Sequence, residues 1–349
     1  VKAQLEEGVI FSLPHPLEVT VAEKIVDMVP SAEMVRFGKN GSDVTAGAVR
    51  LARAFTGRDR VAVCGYHGWQ DWYIGSTARG LGVPAVVKSL THHFIYNQID
   101  SLNDLFAKHP GEFAAVIMEP MTALPPRDGF LEKVKELTHR HGALLVFDEI
   151  VSGFRCANGG AQELYGVTPD LSTFGKGLAN GYPLSAVVGR ADIMKLMEEI
   201  FFSFTFGGEA LSLAAASATL TKLRKFNVVD RLRSQGAKVK QGVQNLVEKH
   251  QVGHIFSVAG DPTWSFLIIK DASPYTQWEL KTLFLQEVFA RGVLVLGSHN
   301  MSFSHNDQDI QTLLKVYDEV FPVLKHVVSQ SALGEHLKCK PLEPLFKLR

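Results

Sequence analysis

The sequence carries no surplus of charge of either sign: 36 Lys+Arg stand against 36 Asp+Glu. That balance removes the bulk attraction to nucleic acid or to an anionic bilayer that a basic chain would have. Cysteine is scarce. Cys64, Cys156 and Cys339 are odd in number, scattered and without a C-x-x-C pair, which argues against a disulfide framework and for a reducing, cytoplasmic setting. No apolar run approaches the length of a membrane span, and no signal peptide is recognisable. Two nucleotide signatures are also missing. No G-x-G-x-x-G turn follows the first strand, and neither glycine-lysine stretch, Gly38-Lys39 nor Gly175-Lys176-Gly177, has the Ser/Thr that a P-loop needs. The neighbouring His92 and His93 have no companion at metal-ligand spacing, so no metal site is expected.

What the chain does have is 46% apolar and 21% charged residues, the balance of a globular protein. Its 349 residues suit one large and one smaller domain. It opens at Val1 inside a helix-like stretch, so an N-terminal segment is expected to be missing. Val21, Ala22, Ile25 and Val26 mark an amphipathic helix over 18–28, ended by Pro30. Met34–Phe37 reads as a strand that runs through Gly38-Lys39-Asn40-Gly41-Ser42-Asp43 into a helix carrying Val49, Leu51, Ala52 and Phe55. Further strands are expected at 60–64, 114–118, 144–147, 171–174 and 183–188, and helices near 101–108, 129–141 and 210–221. Beyond about residue 225 long amphipathic helices (about 228–249 and 276–291) alternate with short strands (264–269 and 293–296), before a last helix over 307–328. This pattern predicts a large domain over 1–224 and a smaller one over 225–349, with a loose surface tail after about residue 329.

Strands that alternate with helices and are almost continuously apolar predict an α/β fold. Its large domain should hold a mostly parallel sheet covered by helices, with ligands at the carboxyl ends of the strands. The groups falling at such ends are Asn40-Gly41-Ser42, Tyr66-His67, Glu119, Asp148 and Lys176. Each alone has a bland reading: a Ser cap that binds its own backbone, a loop pinned by its own rings, a capping Asp, a solvated Lys. Together they suit a planar, phosphorylated cofactor. A helix N-terminus offers free N–H groups to a phosphate, loop aromatics offer a face for stacking, and an acid and a lysine suit a pyridinium nitrogen and a Schiff base.

In sequence these segments resemble the class-III pyridoxal-phosphate aminotransferases, and within them the glutamate-1-semialdehyde aminomutase-like branch. The resemblance runs from about Leu17 to about Val328. It rests on Asn40-Gly41-Ser42-Asp43 with Arg50–Arg58, Tyr66-His67-Gly68, Asp148–Arg155, Pro169–Gly177 and Thr205-Phe206-Gly207-Gly208. It implies a fold type I transferase, a homodimer with a shared active site, and a small amino or oxo substrate. By resemblance Lys176 is the Schiff-base and proton-shuttling lysine, and Asp148 the partner of the ring nitrogen. Gly41 and Ser42 bind the phosphate, Tyr66 and Ile150 flank the ring, His67 and Glu119 belong to the cofactor site, and Thr205 reaches the neighbouring subunit's phosphate. Two departures stand out. Glu119-Pro120 is followed by Met121-Thr122-Ala123-Leu124, with none of the amide side chains the family places there. The loop Gly297–His305 is short and lacks the Glu that gates the aminomutases. The expected activity is therefore intermolecular amino transfer. Intramolecular 2,1-aminomutation is the alternative, and a non-catalytic protein that keeps the fold is a third reading.

Overall fold

The strand Leu144–Asp148 lies at the centre of the larger sheet because every one of its residues is buried, and its neighbour Phe113–Met118 is equally so. The computed structural model of the protein describes residues 1–343. Seven strands, β1 Met34–Gly38, β2 Arg60–Cys64, β3 Thr91–His93, β4 Phe113–Met118, β5 Leu144–Asp148, β6 Leu171–Phe174 and β7 Ser185–Gly189, form one sheet in the order β1-β7-β6-β5-β4-β2-β3. β2 to β6 run parallel. β7 runs antiparallel to both its neighbours, β6 and β1.

Two layers of side chains explain why these strands are apolar throughout. Ala115, Ile117, Leu144 and Val146 pack with Val44, Ala48, Leu51 and Ala52. Val116, Met118, Leu145 and Phe147 pack with Leu102, Phe106, Phe130 and Val134. The period of two along a strand thus sends alternate residues to helices on opposite faces. Each Val, Leu, Ile, Phe or Met among these side chains contributes about 1.5–3 kcal/mol by burial. The helix on the first face, α1 (Gly41–Thr56), starts where Asp43 accepts hydrogen bonds from the N–H groups of Lys39 (3.3 Å) and Asn40 (2.7 Å). It stops at Gly57, whose φ of 67° continues the chain left-handed.

Within the described residues the chain divides into two compact units, Val1–Met121 with Pro126–Asn227, and Thr122–Pro125 with 228–343. The second contains a three-stranded antiparallel sheet of β8 Phe256–Asp261, β9 Trp264–Ile269 and β10 Ser298–Asn300, in the order β10-β9-β8. Three long helices accompany it: α2 Val228–Lys249, α3 Gln277–Ala290 and α4 Asp307–Gln330. A strand was expected at 293–296, but that apolar stretch is unpaired, with Leu294 89% and Leu296 69% exposed. The pairing falls two residues beyond it, on Ser298–Asn300. β8 and β3 were not anticipated. The tail beyond 329, expected to be loose, is tied down as far as Leu342. After Ser331 (φ 53°) a short helix forms at Leu333–His336. Gln286 then donates to the His336 carbonyl (3.0 Å) and accepts from Lys338 N–H (2.8 Å), and Thr282 accepts from Leu342 N–H (2.8 Å). Pro344 to Arg349 lie outside the described residues.

Gly236 in α2 marks the tightest backbone approach in this unit, because a Cβ there would overlap the carbonyl oxygen of Pro262. Backbone cannot swing aside as a side chain can. Gly236→Ala is expected to cost about 1–3 kcal/mol and to lower the melting temperature in calorimetry. Gly334→Ala, where a Cβ meets nothing within 4 Å, should leave it within a degree or two.

Candidate active site

The parallel strands deliver their carboxyl ends to one edge of the sheet, and the antiparallel β7 adds its beginning to the same edge. Phe174 pairs with Ala186, and Gly38, at the end of β1, pairs with Ser185. The turn into α1, the loops after β2 and β4, Asp148 and Lys176 therefore share one rim.

At the centre is Asp148, 3% exposed. Its Oδ2 lies 2.8 Å from Nδ1 of the buried His67, while Oδ1 accepts from Ile150 N–H (3.2 Å) and from the Thr173 hydroxyl on β6 (3.3 Å). A buried carboxylate is stable only when its oxygens are met in this way. The ring of His67 is walled by Trp72 and Tyr73 at centroid distances of 6.3 and 5.2 Å. Its other nitrogen, Nε2, is buried and has no hydrogen-bond partner.

The first turn of α1 is tied to this centre from two sides. The Thr45 hydroxyl donates to the His67 carbonyl (2.8 Å), and the Ser185 hydroxyl donates to the Asn40 carbonyl (2.9 Å). Ser42 sits against Gly68, which is at φ +100°, where a Cβ would collide with the Ser42 hydroxyl. Gly41 is similarly confined, since a Cβ would stand 2.7 Å from Ile150 Cδ1. The first N–H groups of such a helix have no intrahelical partner, so Gly41 and Ser42 offer an anion cradle that any side chain at 41 would fill.

Tyr66, 49% exposed, stands edge-on to Tyr73 at 5.8 Å. Its N–H donates to Glu119 Oε2 (3.0 Å). Burial, followed by the nearby Asp148 carboxylate, pushes the Glu119 carboxyl above the ordinary carboxylate range, against the opposite pull of His67, the Tyr66 N–H and Lys176. Lys176 opens a 3-10 turn with its backbone at φ 40°. That left-handed conformation costs a residue with a Cβ about 1–2 kcal/mol. The lysine is exposed and lines a cavity of about 470 Å³ with Arg155, Asn180 and Tyr182.

Of the residues picked out in the sequence, Asp148 with His67, Gly41 with Ile150, and Tyr66 with Glu119 are in direct contact or would be with a Cβ. Thr205 is apart from them in the chain's own rim. It is exposed and lines a separate cavity of about 490 Å³ with Ile10, Phe11, Leu13, Val19 and Phe204. Sequence reasoning missed Thr45, Thr173 and Ser185, whose hydroxyls knit the rim together. Ser172 and Thr173 are both polar in the fully buried strand β6, which sets that strand apart but does not say which partner Thr173 meets. Among the described residues no group of three or more His, Cys, Asp or Glu could hold a metal ion.

An anion cradle, an acid that reaches the rim from a buried strand, flanking apolar and aromatic side chains and a lysine fit the phosphate, ring nitrogen, ring faces and aldehyde of pyridoxal phosphate. The comparisons agree. The family model "Aminotransferase class-III" matches residues 1–306. The 3-aminobutyryl-CoA aminotransferase of Cloacimonas acidaminovorans is 33% identical over 331 residues, 92% of this chain and 79% of that protein. The glutamate-1-semialdehyde 2,1-aminomutase of Aquifex aeolicus is 34% identical over 319 residues, 84% and 75% of the two. Among solved structures, the PLP internal aldimine form of the FumI protein of Sphingopyxis sp. MTA144 superposes with a TM-score of 0.86 at 30% identity, covering 96% of this chain and 81% of that one. A glutamate-1-semialdehyde aminomutase of Pseudomonas aeruginosa shares the fold, with a TM-score of 0.79 at 22% identity over 93% and 79%. The chain belongs to the class-III aminotransferase family, and its activity is the pyridoxal-phosphate-dependent transfer of an amino group.

Proposed function

We propose that this protein is an aminotransferase that moves an amino group between two small amino and oxo compounds, with Lys176 and Asp148 as its catalytic pair. The observation that carries the proposal is the shared rim: Asp148 at the end of β5, Lys176 just past the end of β6, and the N-terminus of α1 beside them. The cofactor-binding domain is residues 1–224, and the smaller domain begins near 225.

When bound, pyridoxal phosphate supplies an aldehyde to take up amines and a ring that accepts the electrons of a lost proton. Gly41 and Ser42 N–H groups, at the positive end of α1, hold its phosphate. Tyr66 and Ile150 cover the two ring faces. Asp148 keeps a proton on the ring nitrogen and is itself oriented by His67, so His67 acts on the cofactor through that carboxylate. Glu119 borders the same ring. The Lys176 amine would hold the aldehyde carbon of the bound cofactor and, when free of it, would be the group to carry a proton at the substrate carbon.

Thr205 serves the phosphate bound by a second copy of the chain. The apolar residues exposed around it support this, with Leu13 79% and Val19 60% accessible, since monomers rarely leave such patches open. A homodimer with a shared site would cover them. Among the described residues no helix is long and apolar enough to cross a membrane, and Cys64, Cys156 and Cys339 form no disulfide with one another. The scarce, scattered cysteines are what support a reducing, cytoplasmic setting.

Intermolecular transfer is preferred because the loop Gly297–His305 contains no carboxylate gate. Intramolecular 2,1-aminomutation remains the second reading, favoured by the aminomutase relatives. An isotopically labelled amino donor separates the two, because label must appear in a different molecule if transfer is intermolecular.

Three further outcomes follow. Borohydride should fix the cofactor to Lys176, read by mass spectrometry. Lys176→Ala should abolish that adduct and lower turnover by about 10³-fold or more. A Lys176→Ala protein that still forms a reducible adduct would refute the assignment. Asp148→Asn, which keeps the shape and loses the charge, should lower turnover by about 10²–10³-fold with little change in melting temperature. Sedimentation should give twice the chain mass, and Thr205→Ala should weaken cofactor retention by about tenfold.

A further inference from the structure

Lys39 stands immediately before the cradle Asn40-Gly41-Ser42, yet its ammonium is committed elsewhere. Nζ donates to the Pro183 carbonyl at 2.9 Å and to Glu209 Oε2 at 3.1 Å. Both side chains are largely buried, each 13% exposed. Glu209 is in turn the N-cap of the helix Ala210–Lys225. Its Oε1 accepts from Leu211 N–H (2.7 Å) and its Oε2 from Ser212 N–H (3.2 Å). Burial works to raise the Glu209 carboxyl, but the Ser212 hydroxyl and the Lys39 ammonium hold it below the ordinary carboxylate range. Lys39 and Glu209 therefore meet as opposite charges.

Three segments of the larger unit converge on this one ammonium. Lys39 follows β1 and leads into the cradle, and its N–H is held by Asp43 of α1. Pro183 lies between the Lys176 turn and β7, whose first residue, Ser185, donates to the Asn40 carbonyl. Glu209 closes the turn that carries Thr205. Its N–H donates to the Phe206 carbonyl (3.2 Å), and Gly207 N–H donates to the Phe204 carbonyl (3.2 Å). Thr205 itself is exposed. Breaking a largely buried pair leaves the remaining charge uncompensated, so such a pair fixes the register of the segments that it joins. Here those segments are the cradle for one phosphate and the turn whose threonine is read above as reaching another.

We propose that Lys39 and Glu209 are positioning residues that act across the subunit interface. The pair holds the turn bearing Thr205 in register with its own subunit's cradle, and so presents Thr205 to the phosphate bound by a second copy of the chain. This inference rests on the reading of Thr205 given under the proposed function. Its consequence is that a substitution at Lys39 in one subunit is felt by the cofactor of the other.

The test uses full-length mixed dimers loaded with pyridoxal phosphate. One subunit carries Lys176→Ala, so borohydride can fix the cofactor only to Lys176 of the other, reporting subunit. Mass spectrometry follows the fraction still fixable as the dimers stand in cofactor-free buffer. All further substitutions are placed in the Lys176→Ala subunit, and the reporting subunit keeps its whole sequence. Lys39→Met should speed loss of cofactor from the reporting subunit about three- to tenfold, the effect of losing one well-placed hydrogen bond. Glu209→Gln should do the same. Lys39→Arg, which keeps the cation, should leave the rate unchanged. Thr205→Ala should also speed the loss, and adding Lys39→Met to it should bring no further increase, because a residue that acts through Thr205 then has nothing to act on.

If Thr205→Ala speeds the loss and Lys39→Met does not, the pair serves its own subunit alone and the proposal falls. A further increase in the double variant would overturn it as well. If Thr205→Ala itself changes nothing, the reading of Thr205 fails and takes this inference with it, an outcome set apart by the Thr205 arm. Should the Lys39→Met chain not fold, Glu209→Gln carries the same comparison, alone and with Thr205→Ala.

Discussion

The contact between Asp148 and His67 is the constraint on which the rest of the rim depends. A carboxylate at the end of a fully buried strand is costly to desolvate, and the structure offsets that cost with three donors from three different segments. His67 comes from the loop after β2, Thr173 from β6, and the Ile150 N–H from the turn that follows β5 itself. Each donor must be brought into place by its own strand or loop, so the carboxylate registers β2, β5 and β6 against one another at this edge. The same contacts extend outward. His67 passes its backbone carbonyl to Thr45, and Thr45 sits one turn into the helix whose N-terminus forms the anion cradle. The acid and the cradle, which would meet opposite parts of one cofactor, are thereby held by a continuous chain of short contacts. Positioning of this kind lets a site act without paying reorganisation at the moment of reaction.

The elements were legible in sequence wherever burial was complete. β4 and β5 are apolar at every core position, so their runs stood out, and α1 announced itself by the small-residue turn Gly38–Asp43 that leads into its apolar residues. The failures share a cause. β3 (Thr91–His93) and β10 (Ser298–Asn300) are short and polar, and β8 (Phe256–Asp261) is half-buried along most of its length. None carries a hydrophobic signal of its own. Val293–Leu296 carries one and is not a strand, because a strand needs a neighbour to accept its N–H groups, and pairing with β9 begins only at Ser298. Hydrophobic periodicity reports burial, and it says nothing about which neighbour is within reach. The reversed direction of β7 was invisible for the same reason.

The candidate rim could be read in the sequence as residues at strand ends but not as an arrangement. Tyr66 and His67 are adjacent in sequence and looked alike as loop residues. Yet one is half exposed and the other is buried behind Asp148. Alternation along an extended segment sends neighbours in opposite directions, and only the packed loop shows which goes where. Thr45, Thr173 and Ser185 escaped notice because each acts through a partner 22, 25 or 145 positions away. No local pattern encodes such a pairing.

The rim also divides into a part that is fixed and a part that is free to move, and the division matches the chemistry. Asp148 has both oxygens engaged and is almost fully buried, as its proposed role opposite one ring nitrogen would require. Lys176 is the reverse. Its backbone is pinned in a left-handed turn between Gly175 and Gly177, at a cost the surrounding sheet must meet, while its long side chain is exposed beside a cavity. In the role proposed for it, Lys176 would need two positions for its amine, one on an aldehyde carbon and one carrying a proton. A rigid anchor with an unencumbered stem allows both, because the stem can swing while the Cα cannot. Burying the stem would have fixed the amine in one position. Relaxing the turn would have let the Cα wander by more than the tolerance of proton transfer. The strain at residue 176 is thus intelligible as the means by which the one mobile group of the rim is kept aimed at it.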